Sequence, residues 1–143
     1  MPKIYSNPFF KSNFVVRPKV HKKRTFIKNH YLCMRVHLIR RETLEAYGKL
    51  NPMARNALEA FLSKVRYADW SIPADIQKTF KDADIIGRGA NRIIFNINGN
   101  RYRLICKYVF GDKQVHLFVC WIGSHPEYDF ICSTGRQYTI NNF

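Results

Sequence analysis

The sequence predicts an α+β fold, with two helices laid on one face of a small, curled, mainly antiparallel sheet. Three observations carry that expectation. Ala54, Leu58, Phe61, Leu62 and Val65 recur at helical spacing and form one apolar stripe. Asn98-Gly99 separates two runs of alternating pattern, the strongest short hairpin signal because both residues tolerate positive φ. A third apolar run, 114–122, follows a turn around Gly111-Asp112, so the second half of the chain reads as a three-stranded meander.

Element by element, the reading starts at Met34. Met34, Val36 and Leu38 alternate with Arg35, His37 and Ile39, a strand with one wetter face. A helix is expected from about Glu42 to Leu50, with Leu44, Tyr47 and Leu50 on one side. Asn51-Pro52 is a helix start, Asn as cap and Pro as first helical residue. The second helix carries the stripe just named, and its opposite face holds Arg55, Glu59 and Lys64. Residues 69–90 read as irregular, anchored to the core by Trp70 and Ile72, with a helical turn from Ile76 to Phe80. Gly87 and Gly89 break the chain before the strands. They do not form a nucleotide-binding loop, because no strand precedes them and no third glycine follows at the required offset. Strands are then expected at 91–97, 101–110 and 114–122.

Length and charge bound the function. A chain of 143 residues suits one domain, and 46% hydrophobic residues can build a core. The chain has 24 Lys plus Arg against 10 Asp plus Glu, a formal charge of +14, which attracts polyanions such as nucleic acid, acidic protein or anionic membrane. Residues 1–33 hold Lys3, Lys11, Arg17, Lys19, Lys22, Lys23, Arg24 and Lys28 and no acid. Interrupted by Pro2, Pro8 and Pro18 and without sustained periodicity, they read as a basic tail, or as an over-extended start with Met34 as the first residue. The domain is expected over 34–132, and 133–143 as a polar C-terminal tail.

Cys33, Cys106, Cys120 and Cys132 show neither C-x-x-C pairing nor zinc-finger spacing, so no metal site and no cofactor are expected. Residues 1–30 lack the apolar core of a secretory signal, and Val115 to Gly123 is too short to cross a bilayer. A cytoplasmic protein without a membrane partner is expected.

Two groups of residues could carry chemistry. On 101–110, Arg101, Arg103, Ile105 and Lys107 share one face, and Tyr102, Leu104, Cys106, Tyr108 and Phe110 share the other. Arg92 on the neighbouring strand would add to that cationic track, which suits a phosphate backbone or is simply an exposed sheet face. The second group, Gly123-Ser124-His125-Pro126-Glu127-Tyr128-Asp129, follows the last strand. RNA cleavage by its own 2′-hydroxyl needs a base, cations around the phosphorane and an acid for the leaving 5′-oxygen. His125 could be base or acid, Arg103 and Lys107 could hold the phosphate, and Tyr128 could stack or donate a proton. The same stretch also reads as a capped turn into a short helix, with Asp129 as a helix charge.

Several blocks in order, A-D-W (68–70), A-D-I (74–76), D-A-D-I-I-G (82–87), N-R-I-I-F-N-I-N-G-N-R-Y-R-L-I (91–105) and W-I-G-S-H-P-E-Y-D-F-I (121–131), resemble the HigB family of toxins. The resemblance covers 34–131, with Ser124 where the family's pattern has Thr. It implies a RelE-like fold and cleavage of mRNA on the ribosome. It further implies a cognate helix-turn-helix antitoxin that neutralises the toxin, with operator DNA bound only through their complex. Carried over residue by residue, Arg92, Asn100, Arg103, His125, Tyr128 and Asp129 occupy the recurrent polar positions. Arg103, His125 and Tyr128 are then expected to be catalytic, with Arg92, Asn100, Arg101, Lys107 and Asp129 on the RNA. Two other readings stay open: a non-catalytic RNA- or ribosome-binding module, and a gyrase-directed toxin of the related fold. Tyr102 and Tyr108 argue against a base-stacking sheet, because they alternate with the basic face rather than joining it.

Overall fold

Six strands form one mixed sheet in the order β2-β1-β6-β5-β4-β3. The computed structural model describes residues 34–143; the expected basic tail, 1–33, with Cys33, falls outside the described residues. The strands are β1 (Met34–Ile39), β2 (Asp69–Trp70), β3 (Asp84–Ile86), β4 (Arg92–Ile97), β5 (Tyr102–Phe110) and β6 (Gln114–Ser124). The helices are α1 (Arg41–Leu50), α2 (Pro52–Arg66), α3 (Pro73–Thr79) and α4 (His125–Ser133), followed by a 3-10 turn at Arg136–Tyr138. The meander β4-β5-β6 is antiparallel as expected, while β1 lies parallel to β6, a pairing across nearly eighty residues that no local pattern announces. Asn98 and Gly99 take φ of 54° and 63°, the mirror-image turn that Asn-Gly supplies at low cost.

The α2 stripe lands where its spacing puts it: Ala54, Leu58, Phe61, Leu62 and Val65 are all buried against the sheet. Phe61, Phe80 and Phe95 meet there with ring centroids 4.9–5.1 Å apart. Leu50 does not join this core and stays 83% exposed. At 100° per residue it lies about 240° around α1 from Leu44, whereas Gly48, one turn on, is buried against Arg55 and Leu58. Asn51 precedes Pro52 as expected but makes no side-chain cap; its amide donates to Tyr47 O and closes α1 instead.

Residues 69–90 are more regular than the sequence suggests, because β2, α3 and β3 are too short to show a period. Trp70 is fully buried and donates to Thr79 Oγ1 at 2.9 Å. Ile72 is 51% exposed rather than an anchor. Its peptide N–H and that of Ser71 donate to Asp75, which starts α3 and lets Ile76 fill the core in its place.

The sheet has a second covered face, which the expectation of helices on one face did not include. Ile94, Ile105, Cys120 and Trp121 pack there under Ile131 of α4 and Ile140. Residues 133–143, read from sequence as a polar tail, are tied down: Asn142 N–H donates to Cys120 O, and Arg92 donates to Ile140 O. A bulge makes this face possible. Ile105 pairs with Trp121 and Cys106 with Val119, leaving Cys120 as an extra residue in β6. Val115, Leu117 and Val119 face the α1–α2 side, Cys120 and Trp121 face α4, and Ile122 faces α1–α2 again.

Candidate active site

The site sits where the β4–β5 hairpin meets the β6–α4 junction. Period-two alternation holds along β5, with Leu104, Cys106 and Tyr108 inward and Arg103, Ile105 and Lys107 on the α4 face. Arg103 pairs with Asn96 on one side and with Gly123 on the other. Gly123 is needed for packing: an added Cβ would lie 2.4 Å from Trp121 Cζ2 and 3.0 Å from Glu127 Oε2. The indole is core, so it cannot yield freely. Gly123→Ala should lower stability by about 1–3 kcal/mol in denaturant melts, and a change below about 0.3 kcal/mol would show that Trp121 moves at little cost.

Ser124 ends β6 and caps α4. Its N–H and its Oγ–H each lie 2.7 Å from Glu127 Oε2, and Glu127 N–H returns to Ser124 Oγ at 3.4 Å, a reciprocal capping box. Those two donors hold the Glu127 carboxyl below its ordinary value. A depressed carboxylate stabilises the fold above its unfolded value, and that contribution fades as pH falls through the lowered one. Protection of the first-turn amides of α4 should therefore weaken in acid, below about pH 4. Glu127→Gln should flatten that dependence in amide exchange; an unchanged acid profile would remove Glu127 from the cap. The S-x-x-E spacing was readable, so the capped-helix reading of 124–129 and its functional reading describe the same atoms.

The cap fixes His125 as the first residue of α4. Its N–H donates to Arg101 O at 2.9 Å. Nδ1 of the ring lies 3.0 Å from Asn100 O, and Nε2 lies 3.4 Å from Asp129 Oδ1 one helical turn on. Both ring nitrogens thus face acceptors, an arrangement that a doubly protonated ring satisfies on both sides. Asn100 also serves Arg103, whose Nη2 donates to Asn100 Oδ1 at 2.9 Å. One residue therefore orients both: its side chain holds the guanidinium and its carbonyl holds the imidazole. Arg103 is 9% exposed and lies 5.9 Å from the Tyr128 ring, which packs near Trp121. Burial, then the neighbouring Cys132 thiol, raises the Tyr128 phenol well above its ordinary value, so it keeps its proton at any physiological pH.

The structure thus brings together Asn100, Arg103, His125, Tyr128 and Asp129. Arg101 contributes its carbonyl to the His125 N–H and leaves its side chain exposed. Arg92 and Lys107 pair with each other four residues along β5, about 13 Å from Arg103. Arg92 is buried and committed to Ile140 O, which removes its guanidinium from the groups a phosphate could reach. That partner is supplied by a segment 48 residues later, so no local signal could have shown it. Trp121 supports the site without having been given a role, while Gly123 and Glu127, named in the stretch after the last strand, support it by packing and by capping. Among the described residues, no helix is long and apolar enough to cross a membrane.

A curled mixed sheet with a helical hairpin on one face and a basic polar cluster at the end of the meander defines a RelE-like protein. The chain belongs to the HigB toxin family, described as the RelE-like toxic component of a toxin–antitoxin system, whose family model matches residues 54–131. It is also similar to the mRNA interferase HigB of Escherichia coli O6:H1 (strain CFT073), with 24% identity over 102 residues, which cover 71% of this chain and 97% of that protein. A cognate antitoxin follows from the family.

Proposed function

We propose that this toxin is a ribonuclease that cuts mRNA on the ribosome and is neutralised by an antitoxin of the helix-turn-helix class. The observation that carries the chemistry is Asn100 holding Arg103 and His125 side by side. The substrate's 2′-oxygen attacks the adjacent phosphorus, the P–O5′ bond breaks, the 2′-proton passes to water, and the 5′-oxygen takes a proton from His125. Arg103 stabilises the phosphorane; its guanidinium is preorganised and nearly buried, where a fixed charge acts most strongly. Arg101 is exposed beside it and meets a flanking phosphate. Asp129 holds the imidazolium until substrate binds. Tyr128, half-buried and holding its proton, backs Arg103 and does not act as a base.

The test is inducible expression in bacteria with mapping of mRNA 5′ ends. New ends inside translated frames are expected with the wild type and absent with Asn100→Ala, which keeps the carbonyl at His125 but frees Arg103. Growth arrest without new ends would overturn this in favour of a DNA-directed or purely binding toxin.

A further inference from the structure

The half of the α4 face of the sheet not covered by α4 and the C-terminal segment carries an ordered set of side chains. The strand registers arrange them in two rows. One row runs Ile39, Phe118, Lys107, Arg92 across β1, β6, β5 and β4, and the next runs His37, His116, Val109 across β1, β6 and β5. The rings are neighbours: His37 and His116 lie 5.8 Å apart between centroids, and His116 and Phe118 lie 6.3 Å apart. His37, Lys107 and Val109 are exposed, and His116 and Phe118 are half-exposed. No residue facing this way on β1, β4, β5 or the first half of β6 is acidic; Lys107 is an exposed cation here, Arg92 is buried, and Arg35 at the edge is ion-paired with Asp69 of β2 at 3.7 Å.

We propose that this face is a second RNA-binding surface, on which His37, His116 and Phe118 stack bases of a single-stranded segment while Lys107 meets its phosphates. Exposed flat rings on a sheet flanked by cations take unpaired bases, because every base has a π-face and the backbone supplies the charge. The aromatics of β5 do not serve this role; Tyr102 and Tyr108 point into the core as their parity requires, and the row is built from β1 and β6 instead. The Ile140 segment lies between this surface and Arg103, so the surface holds RNA away from the cutting site. The choice of RNA as polyanion rests on the proposed ribonuclease activity.

The test uses the full chain and a ten-nucleotide 2′-O-methyl oligouridylate. This probe has no free 2′-hydroxyl, so binding is read whether or not the protein cleaves RNA. Ring proton resonances of His37 and His116 should shift on titration. Phe118→Leu, which keeps the apolar bulk and the fold, should weaken binding roughly fivefold or more with the salt dependence unchanged. Lys107→Gln should lower the slope of log affinity against log salt by about one. Unmoved histidine resonances would overturn the proposal, as would unchanged affinity in Phe118→Leu or an equal loss for a duplex of the same length. Loss of antitoxin binding in Phe118→Leu with RNA affinity intact would reassign the face to protein. Loss of mRNA cleavage in Asn100→Ala is read separately and bears only on the ribonuclease.

Discussion

Arg103→Ala is expected to slow cleavage of mRNA on translating ribosomes by about 10²–10³-fold, the usual effect of removing one preorganised donor from a charged transition state. The fold should survive. Arg103 donates only to Asn100 Oδ1 and Tyr102 O, and Asn100 is exposed, so water can take the vacated place. The loss should therefore appear in the single-turnover rate while near-UV circular dichroism stays native. Arg103→Lys should recover only part of the rate, because an ammonium keeps the charge but not the planar fork that Asn100 grips. A folded alanine variant cutting within threefold of wild type would mean that Arg103 is packing rather than chemistry.

His125→Ala should cost about 10²–10⁴-fold, the range for losing a positioned acid or base. The proposed mechanism gives it the acid's part. Asn100 O lies at one ring nitrogen and Asp129 Oδ1 at the other, so a doubly protonated ring has an acceptor for each proton. That assignment has its own check. A substrate whose 5′-oxygen at the cut is replaced by sulfur releases a thiolate, which needs no proton. On it, His125→Ala should come within about tenfold of wild type. An undiminished deficit would assign His125 to orientation or to proton removal. Position 125 tolerates the change structurally, since its backbone N–H still reaches Arg101 O and Ser124 with Glu127 still caps the helix.

Much of this arrangement was legible because it is periodic. Parity along β5 placed Arg103 and Lys107 on one face and Leu104, Cys106 and Tyr108 on the other. The Asn98-Gly99 turn fixed the β4–β5 register that sets Arg103 beside Asn100. What stayed hidden lacks a local signature. β2 and β3 span two and three residues, too few for any period. The bulge lies within Val119-Cys120-Trp121-Ile122, apolar throughout, so its change of face leaves no trace in hydropathy. Leu50 and Ile72 misled for the same reason: large apolar residues were assigned inward although Gly48 and Ile76 held the inward angles. The site's second carboxylate, Glu127, was visible only as a cap, and its closeness to Tyr47 of α1 is a tertiary fact.

A pleated strand is a wave of period two, and one extra residue advances it by half a wavelength. Before Cys120, odd-numbered residues of β6 point toward α1 and α2; after it, even-numbered ones do. Cys120 is the extra residue, and every residue on either side of it already shares a face with its β5 partner. Deleting Cys120 would therefore join Val119 to Trp121 in regular alternation. Trp121 would stay on the α4 side, Ser124 would launch α4 from the same surface, and His125 would stay beside Asn100. The loss would fall on the C-terminal segment instead, which rests on Cys120 through Ile140 and through the Asn142 N–H bond to Cys120 O.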